Sequence, residues 1–446
     1  MATFGFRTDL HMVGQQYSWL TTTFYLCYLV CEGPANYLMQ RTAINKTLGA
    51  VMIAWGIIVS CIGAAQNWST VMALRALQGV AECSISPAFL ILTATWWKTE
   101  EHSLRALIWG TSNAGMGAIT QLAMYGIAKK SQADGGLAPW RSITIFLGSF
   151  TIVLGIFAFF FLGTPREVYF LSAEEKRIAA ARVVANNTGS DRTKKPWNWS
   201  QFWSTFRDPQ VYIFFFITFV NSLPNGGTTS FGNLIYVSFG FSPLDTIVKG
   251  TVPQDVVSIV YFIIIGLVTR RWRKLRFICM MGSVVPAFIG MLCIALLPKS
   301  ASYLWVKWGC YLMTVTGNLP GLMIWTMLPS NVAGRTKKSV CSTTLFVAYC
   351  TGNSIGAQLF QAKWAPDYIP AIGLSAAFYG LEFILIKLQS HMRVGFWRFY
   401  YVLMNKRRRA AMAAEGLSPE EVHRRGEVLG EADTPDQHNP YFLYDY

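Results

Sequence analysis

Charge is what this sequence has least of. Only 14% of its 446 residues are Asp, Glu, Lys or Arg, where soluble domains carry about a quarter. A chain this long with so little charge would not stay dissolved as ordinary globular domains, so a soluble enzyme is excluded first. Acidic residues are scarcer than basic ones, 23 against 38. Histidine is rarer still, and its five residues (His11, His102, His391, His423 and His438) all fall in loops or the tail. No C-x-x-C pair occurs among the nine cysteines, most of which lie inside apolar runs where a thiol behaves as a small hydrophobe. No metal is therefore expected. A Walker loop, a zinc motif and a nucleophile elbow are also missing, so neither a catalytic residue nor a cofactor is expected. An integral-membrane enzyme would need an intramembrane His or Cys constellation, which this distribution does not offer. The N-terminus lacks the basic-then-apolar design of a signal peptide.

What the sequence does have is apolar residues, 52% of the chain, gathered into runs of the length a helix needs to cross about 30 Å of hydrocarbon. Eleven such spans are predicted, at 17–38, 47–65, 69–97, 106–128, 142–162, 210–238, 250–269, 277–297, 308–328, 339–361 and 368–389. They divide the chain into a five-span bundle (1–162), a polar central loop (163–208), a six-span bundle (209–389) and a polar tail (390–446). The loop holds Ser172 and Glu175 at capping-box spacing. The fold class is thus all-α membrane protein.

The net charge of +15 could suggest nucleic acid, but the basic residues sit between apolar runs rather than on one amphipathic face. Lys and Arg accumulate in cytoplasmic loops of membrane proteins. Here 28 of the 38 fall in loops on one side and 8 on the other, with Arg75 and Lys387 inside spans. A nucleic-acid partner is not expected. The central loop and the C-terminus are expected in the cytoplasm, and with eleven spans the N-terminus outside.

A five-plus-six split is odd for two halves around a central cytoplasmic loop. The halves echo each other after their second helix, Gly33 through Arg41 in one and Gly266 through Arg273 in the other. If those basic turns correspond, the usual first helix is the one expected to be missing.

Several stretches, taken in order, carry a resemblance. They are Gln16-Tyr-Ser-Trp-Leu, Glu32-Gly-Pro-Ala-Asn36, Arg75-Ala-Leu-Gln-Gly-Val-Ala-Glu82 with Ser86-Pro87, and Asp208-Pro209-Gln210. Pro224-Asn-Gly-Gly-Thr228 with Phe231-Gly-Asn233, Ser330 through Lys338, Gly352 through Gly356, and the tail Asn439-Pro-Tyr-Phe-Leu-Tyr444 follow. The chain resembles the fungal allantoate permease branch of the anion:cation symporter family, within the major facilitator superfamily. The resemblance implies two helical bundles rocking about a midplane cavity. It implies a monomer in a lipid bilayer, expected to be the plasma membrane. The expected activity is proton-coupled uptake of a small organic anion such as allantoate, ureidosuccinate, a small peptide or a carboxylated vitamin. Family members carry a cytoplasmic tail and a helix before the segment resembling Phe4 through Leu10. Their absence here leaves a second expectation, an N-terminally truncated, non-transporting remnant or nutrient sensor.

Ionisable residues inside a bilayer are costly and usually face a water-filled cavity. Arg75 and Glu82 are seven apart, two helical turns, and share a face. Extending that face adds Ser86 and Thr93, with Gly79 beside it. An arginine can hold a carboxylate in bidentate geometry. The family resemblance supports proton coupling by the Arg75/Glu82 pair, and the bland alternative is that the two tie the third span to its neighbours. Asp255 is a second proton-coupling candidate or an interface residue. Glu32 and Arg41 are read as gating or structural. Glu382 is expected to snorkel or to pair with a loop cation. Substrate-binding candidates beside Arg75 are Asn221, Asn225 and Thr229, spaced i, i+4, i+8 along a sixth span expected to break at Pro224 and Gly226-Gly227, and Tyr349 with Asn353 on the tenth.

Overall fold

The computed structural model describes residues 2–97, 99–165, 167–184, 197–272, 275–390, 396–416, 418–431 and 433–443. Among the described residues there is helix and no strand. The main helices are α1 (Gln16–Arg41), α2 (Ile44–Ile62), α3 (Trp68–Glu82), α4 (Ile85–Trp96), α5 (Thr99–Asp134) and α6 (Pro139–Phe161), then α7 (Pro209–Ser238), α8 (Val252–Arg271), α9 (Arg276–Leu296), α10 (Leu304–Met313), α11 (Leu319–Asn331), α12 (Arg335–Leu359) and α13 (Ile369–Ser390). Two further helices, α14 (Phe396–Ala414) and α15 (Pro419–Glu431), lie in the tail.

Every stretch predicted as a span is helical over most of its length. Five helices are, by length and composition, long and apolar enough to cross a membrane: 44–62, 139–161, 246–269, 276–296 and 369–387. The other stretches fall short for two physical reasons. The third and ninth are broken, at Cys83-Ser84 between α3 and α4 and by a 3₁₀ turn over Thr314–Asn318 between α10 and α11. α1, α5, α7 and α12 carry polar residues among the apolar ones, which lowers their mean hydropathy. Large apolar side chains point outward, among them Val153, Phe160, Ile264 and Leu267. Facing water they would be an aggregation hazard, and facing lipid they are matched.

α1 to α6 pack with one another, and α7 to α13 with one another. The two sets meet mainly along α1 with α12 and α5 with α8. Within the second set, α7 and α12 touch backbone to backbone. A methyl group on Gly226 would overlap the Asn353 carbonyl, and one on Gly356 would overlap the Leu223 carbonyl. Small residues at such crossings let helices approach where lipid supplies no hydrophobic drive. The predicted break in the sixth span is therefore corrected: α7 runs unbroken from Pro209 to Ser238 with Pro224 inside it. Pro224 removes one backbone donor, but the two glycines serve close packing and not a break. Gly356→Val should lower the stability of the detergent-solubilised protein by about 1–3 kcal/mol through overpacking. Gly282→Ala, with nothing within 4 Å of the added methyl, should leave the thermal unfolding midpoint where it was. Equal midpoints for the two variants would contradict this packing.

The capping box in the central loop forms as read. Ser172 N donates to Glu175 Oε2 at 2.8 Å and Glu175 N donates to Ser172 Oγ at 3.3 Å. Those bonds hold the Glu175 carboxyl below its ordinary value.

Candidate functional site

The site is built around one face of α1. Tyr17, Thr21, Tyr25, Tyr28 and Glu32 fall within an arc of about 80° at 100° per residue, and the first four meet the second bundle. Near the charge-poor end, Tyr17 Oη donates to the Ser230 carbonyl at 2.9 Å, and the Thr21 and Ser230 hydroxyls lie 2.9 Å apart. Thr22 Oγ1 donates to the Ser354 carbonyl at 3.1 Å and accepts from Gln358 Nε2 at 2.8 Å. Gln15 donates to the Gln358 carbonyl and accepts from the Ala362 amide. Tyr17 also packs edge-on against Phe231, with ring centroids 5.2 Å apart. This polar and aromatic seam closes the space between the bundles at that end.

Beyond the seam the contact becomes aromatic. The Tyr25 and Tyr349 rings lie 5.9 Å apart edge to face, and Tyr28 stacks obliquely on Phe346 at 5.1 Å. α3 lies against the same stretch of α1 because Gly79 has no side chain; a Cβ there would overlap the Phe24 carbonyl. That close approach brings Arg75, Gln78 and Glu82 beside the α1 face. Arg75 Nη1 donates to Gln78 Oε1 at 3.2 Å. Among the described residues no ion pair joins Arg75 to Glu82 directly. Arg75 Nε is buried with no hydrogen-bond partner. Glu82 lies within electrostatic reach of Tyr25, Tyr28 and Tyr349. A guanidinium with an unused donor, two helical turns from a carboxyl on the same face, can take an anion while the carboxyl exchanges a proton.

The predicted stripe stops at Glu82, because the chain turns at Cys83-Ser84 before α4 begins. Thr93 then bonds its own helix at the Phe89 carbonyl. Ser86 is exposed, in the first turn beyond that break.

The three α7 candidates do not converge. Positions i, i+4 and i+8 drift by about 80° in all, and each residue finds a different neighbour. Asn221 is buried inside the second bundle, its amide donating to the Gly317 carbonyl at 2.6 Å and to Glu382 Oε2 at 3.3 Å. Asn225 donates to Asn353 Oδ1 at 2.9 Å. Asn353 has no exposed surface, and its own amide donates back to the Tyr349 carbonyl. Thr229 is exposed. Asn221, Asn225 and Asn353 thus bind helix to helix, whereas Tyr349 faces the site. Glu382 corrects its expectation too: it is fully buried against Asn221, not near a loop cation.

Asp255 sits between the bundles against Gly117, where an added Cβ would lie 3.1 Å from Oδ2, and that oxygen is buried without a partner. Glu32 is half-buried at the far end of the α1 face. Arg41 lies over the Tyr37 ring at 4.4 Å. Sequence reasoning missed Tyr25, Tyr28, Gln78 and Phe346. Their signal was available in α1, where polar and aromatic residues recur at i, i+4, i+8 and i+11 from Tyr17.

A sequence profile described as Major Facilitator Superfamily matches residues 1–357. The allantoate permease of Saccharomyces cerevisiae is 30% identical, over 99% of this chain and 80% of its own length. An uncharacterized transporter of Schizosaccharomyces pombe is also 30% identical, over 99% of this chain and 81% of its own. A thiamine pathway transporter of S. cerevisiae is 26% identical, over 81% and 68%. Among solved structures, a bacterial homolog of the human lysosomal transporter Spinster, inward-facing and unoccupied, superposes with a TM-score of 0.60. It shares 13% identity, covering 86% of this chain and 93% of that one.

Proposed function

The chain belongs to the Major Facilitator Superfamily, and from that premise we propose that this transporter couples proton entry to the uptake of a small organic anion. The observation that carries the reading is Arg75, whose Nε is buried with no partner, two helical turns from the Glu82 carboxyl on the same face of α3. A carboxylate arriving at Arg75 would complete its donor set in bidentate geometry. Glu82 carries the proton, and Tyr25 and Tyr349 close around the substrate. The likeness to allantoate permease favours a ureido acid as the first substrate to try. With 28 of 38 basic residues on one side, the central loop and the C-terminus face the cytoplasm of the plasma membrane.

The test is uptake into proteoliposomes holding the purified protein, with radiolabelled allantoate, ureidosuccinate, a dipeptide and a carboxylated vitamin. At least one carboxylate should accumulate when the outside is acidic, and a protonophore should abolish the accumulation. Its neutral amide analogue should not be taken up. Accumulation indifferent to the protonophore would remove proton coupling, and equal uptake of the amide would remove Arg75 as an anion site.

A further inference from the structure

The second bundle holds a buried charge cluster that plays no part in the site above. Lys337 Nζ lies 2.6 Å from Asp208 Oδ2 and 2.8 Å from Asp436 Oδ1, and all three side chains have 0% exposure. Asp208 precedes α7, Lys337 is in the first turn of α12, and Asp436 belongs to the tail. The tail is seated there by more than the ion pair. Gln201 Nε2 donates to the Asp433 carbonyl at 2.7 Å and to Asp433 Oδ2 at 3.0 Å, while Gln201 Oε1 accepts from the Thr336 amide at 3.1 Å. The Arg335 amide donates to Asp433 Oδ1 at 2.6 Å, and the Ala333 amide to Asp436 Oδ1 at 3.3 Å. Arg408 of α14 donates to the Asp436 carbonyl at 2.6 Å and to the Phe442 carbonyl. Residues 433–443 are therefore a strap across the ends of α7 and α12.

α12 links this strap to the site. Lys337 and Gln358 stand 21 positions apart, about 32 Å along a helix. One end is fixed to the tail and the other bonds Thr22 of the first bundle, with Tyr349 facing Tyr25 between them. A tilt of about 5° at the strapped end would move the Gln358 end by about 3 Å, on a rod of that length. That is enough to break the seam. Losing Asp436 leaves Lys337 paired with Asp208 but unties the tail from Lys337 in the first turn of α12.

We propose that Asp436 is a positioning residue for transport, acting through Lys337 to set the tilt of α12 and so the closure of the seam at the charge-poor end. The proposal needs only that the protein is a transporter, and the choice of test keeps it separate from the anion and proton reading. Spin labels introduced by non-cysteine chemistry at Val13 and Lys363, on either side of the seam and both exposed, report its closure without any substrate. In the full-length protein, Asp436→Asn should add a second, longer-distance population to the single one of the parent. With any substrate the parent transports, maximal rate per folded molecule should fall about tenfold at unchanged KM, as expected when a buried cation loses one of its two partners. Asp436→Glu, which keeps the carboxylate opposite Lys337, should recover most of the parent's distance distribution. The idea is overturned if Asp436→Asn lowers only the amount of folded protein, leaving distances and per-molecule rate as in the parent. A loss in Asp436→Glu as large as in Asp436→Asn would overturn it as well.

Discussion

Arg75→Lys should cut anion uptake about 10- to 100-fold, the loss expected when a charged hydrogen bond worth roughly 1.5–3 kcal/mol is no longer made. The charge is kept, so a purely electrostatic role would tolerate the change. What is lost is the planar fork, which an ammonium cannot reproduce, together with the buried Nε that has no partner inside the protein. The Gln78 contact made by Nη1 can be recovered by a lysine. The measurement is initial uptake rate against substrate concentration in proteoliposomes, normalised to folded protein by size-exclusion profile. A rise in KM with a normal profile supports direct recognition. If the variant instead loses folded protein and the remainder transports normally, Arg75 is a brace between α3 and α1 and the anion site lies elsewhere.

The fold was legible in the sequence because span length and the polar central loop depend on local composition alone. The α3 candidates were legible for a similar reason: two charges seven apart on an apolar helix share a face whatever surrounds them. What the sequence hid was tertiary. Asn221, Asn225 and Thr229 share a spacing, but their neighbours depend on how α7 is clasped. α12 covers one side at Gly226 and Gly356, and Gly317 with Glu382 covers another. The same glycines resemble a helix break until the partner that needs them is seen. Glu382 resembled an end-of-span carboxyl because hydropathy gives depth along the membrane normal but not which way a side chain points. The Asp208–Lys337–Asp436 cluster joins residues 129 and 99 positions apart, and no local pattern relates them. Tyr25 and Tyr28 are a different case. Their periodicity was present, but tyrosine is common enough in spans that its face carries meaning only once Tyr349 and Phe346 stand opposite.

Glu82→Gln should abolish concentrative uptake while leaving exchange intact. On the proposed role, a proton taken up by Glu82 must accompany each inward step, and a one-unit pH gradient can then support about tenfold accumulation per coupled proton. An amide at position 82 fills the same volume, so the α3 face and its approach to α1 at Gly79 should survive. It cannot change its charge. The accumulation ratio in a pH gradient should therefore fall to about one, the value for a carrier that gains nothing from the gradient. Counterflow, in which unlabelled substrate inside draws labelled substrate in, needs no net proton movement and should run near the parent rate. A scaffold role predicts that both assays fail together with loss of folded protein. Full accumulation by the variant would remove Glu82 from the coupling step. Asp255, whose Oδ2 is buried without a partner where α8 meets α5, would then be the carboxylate to replace next.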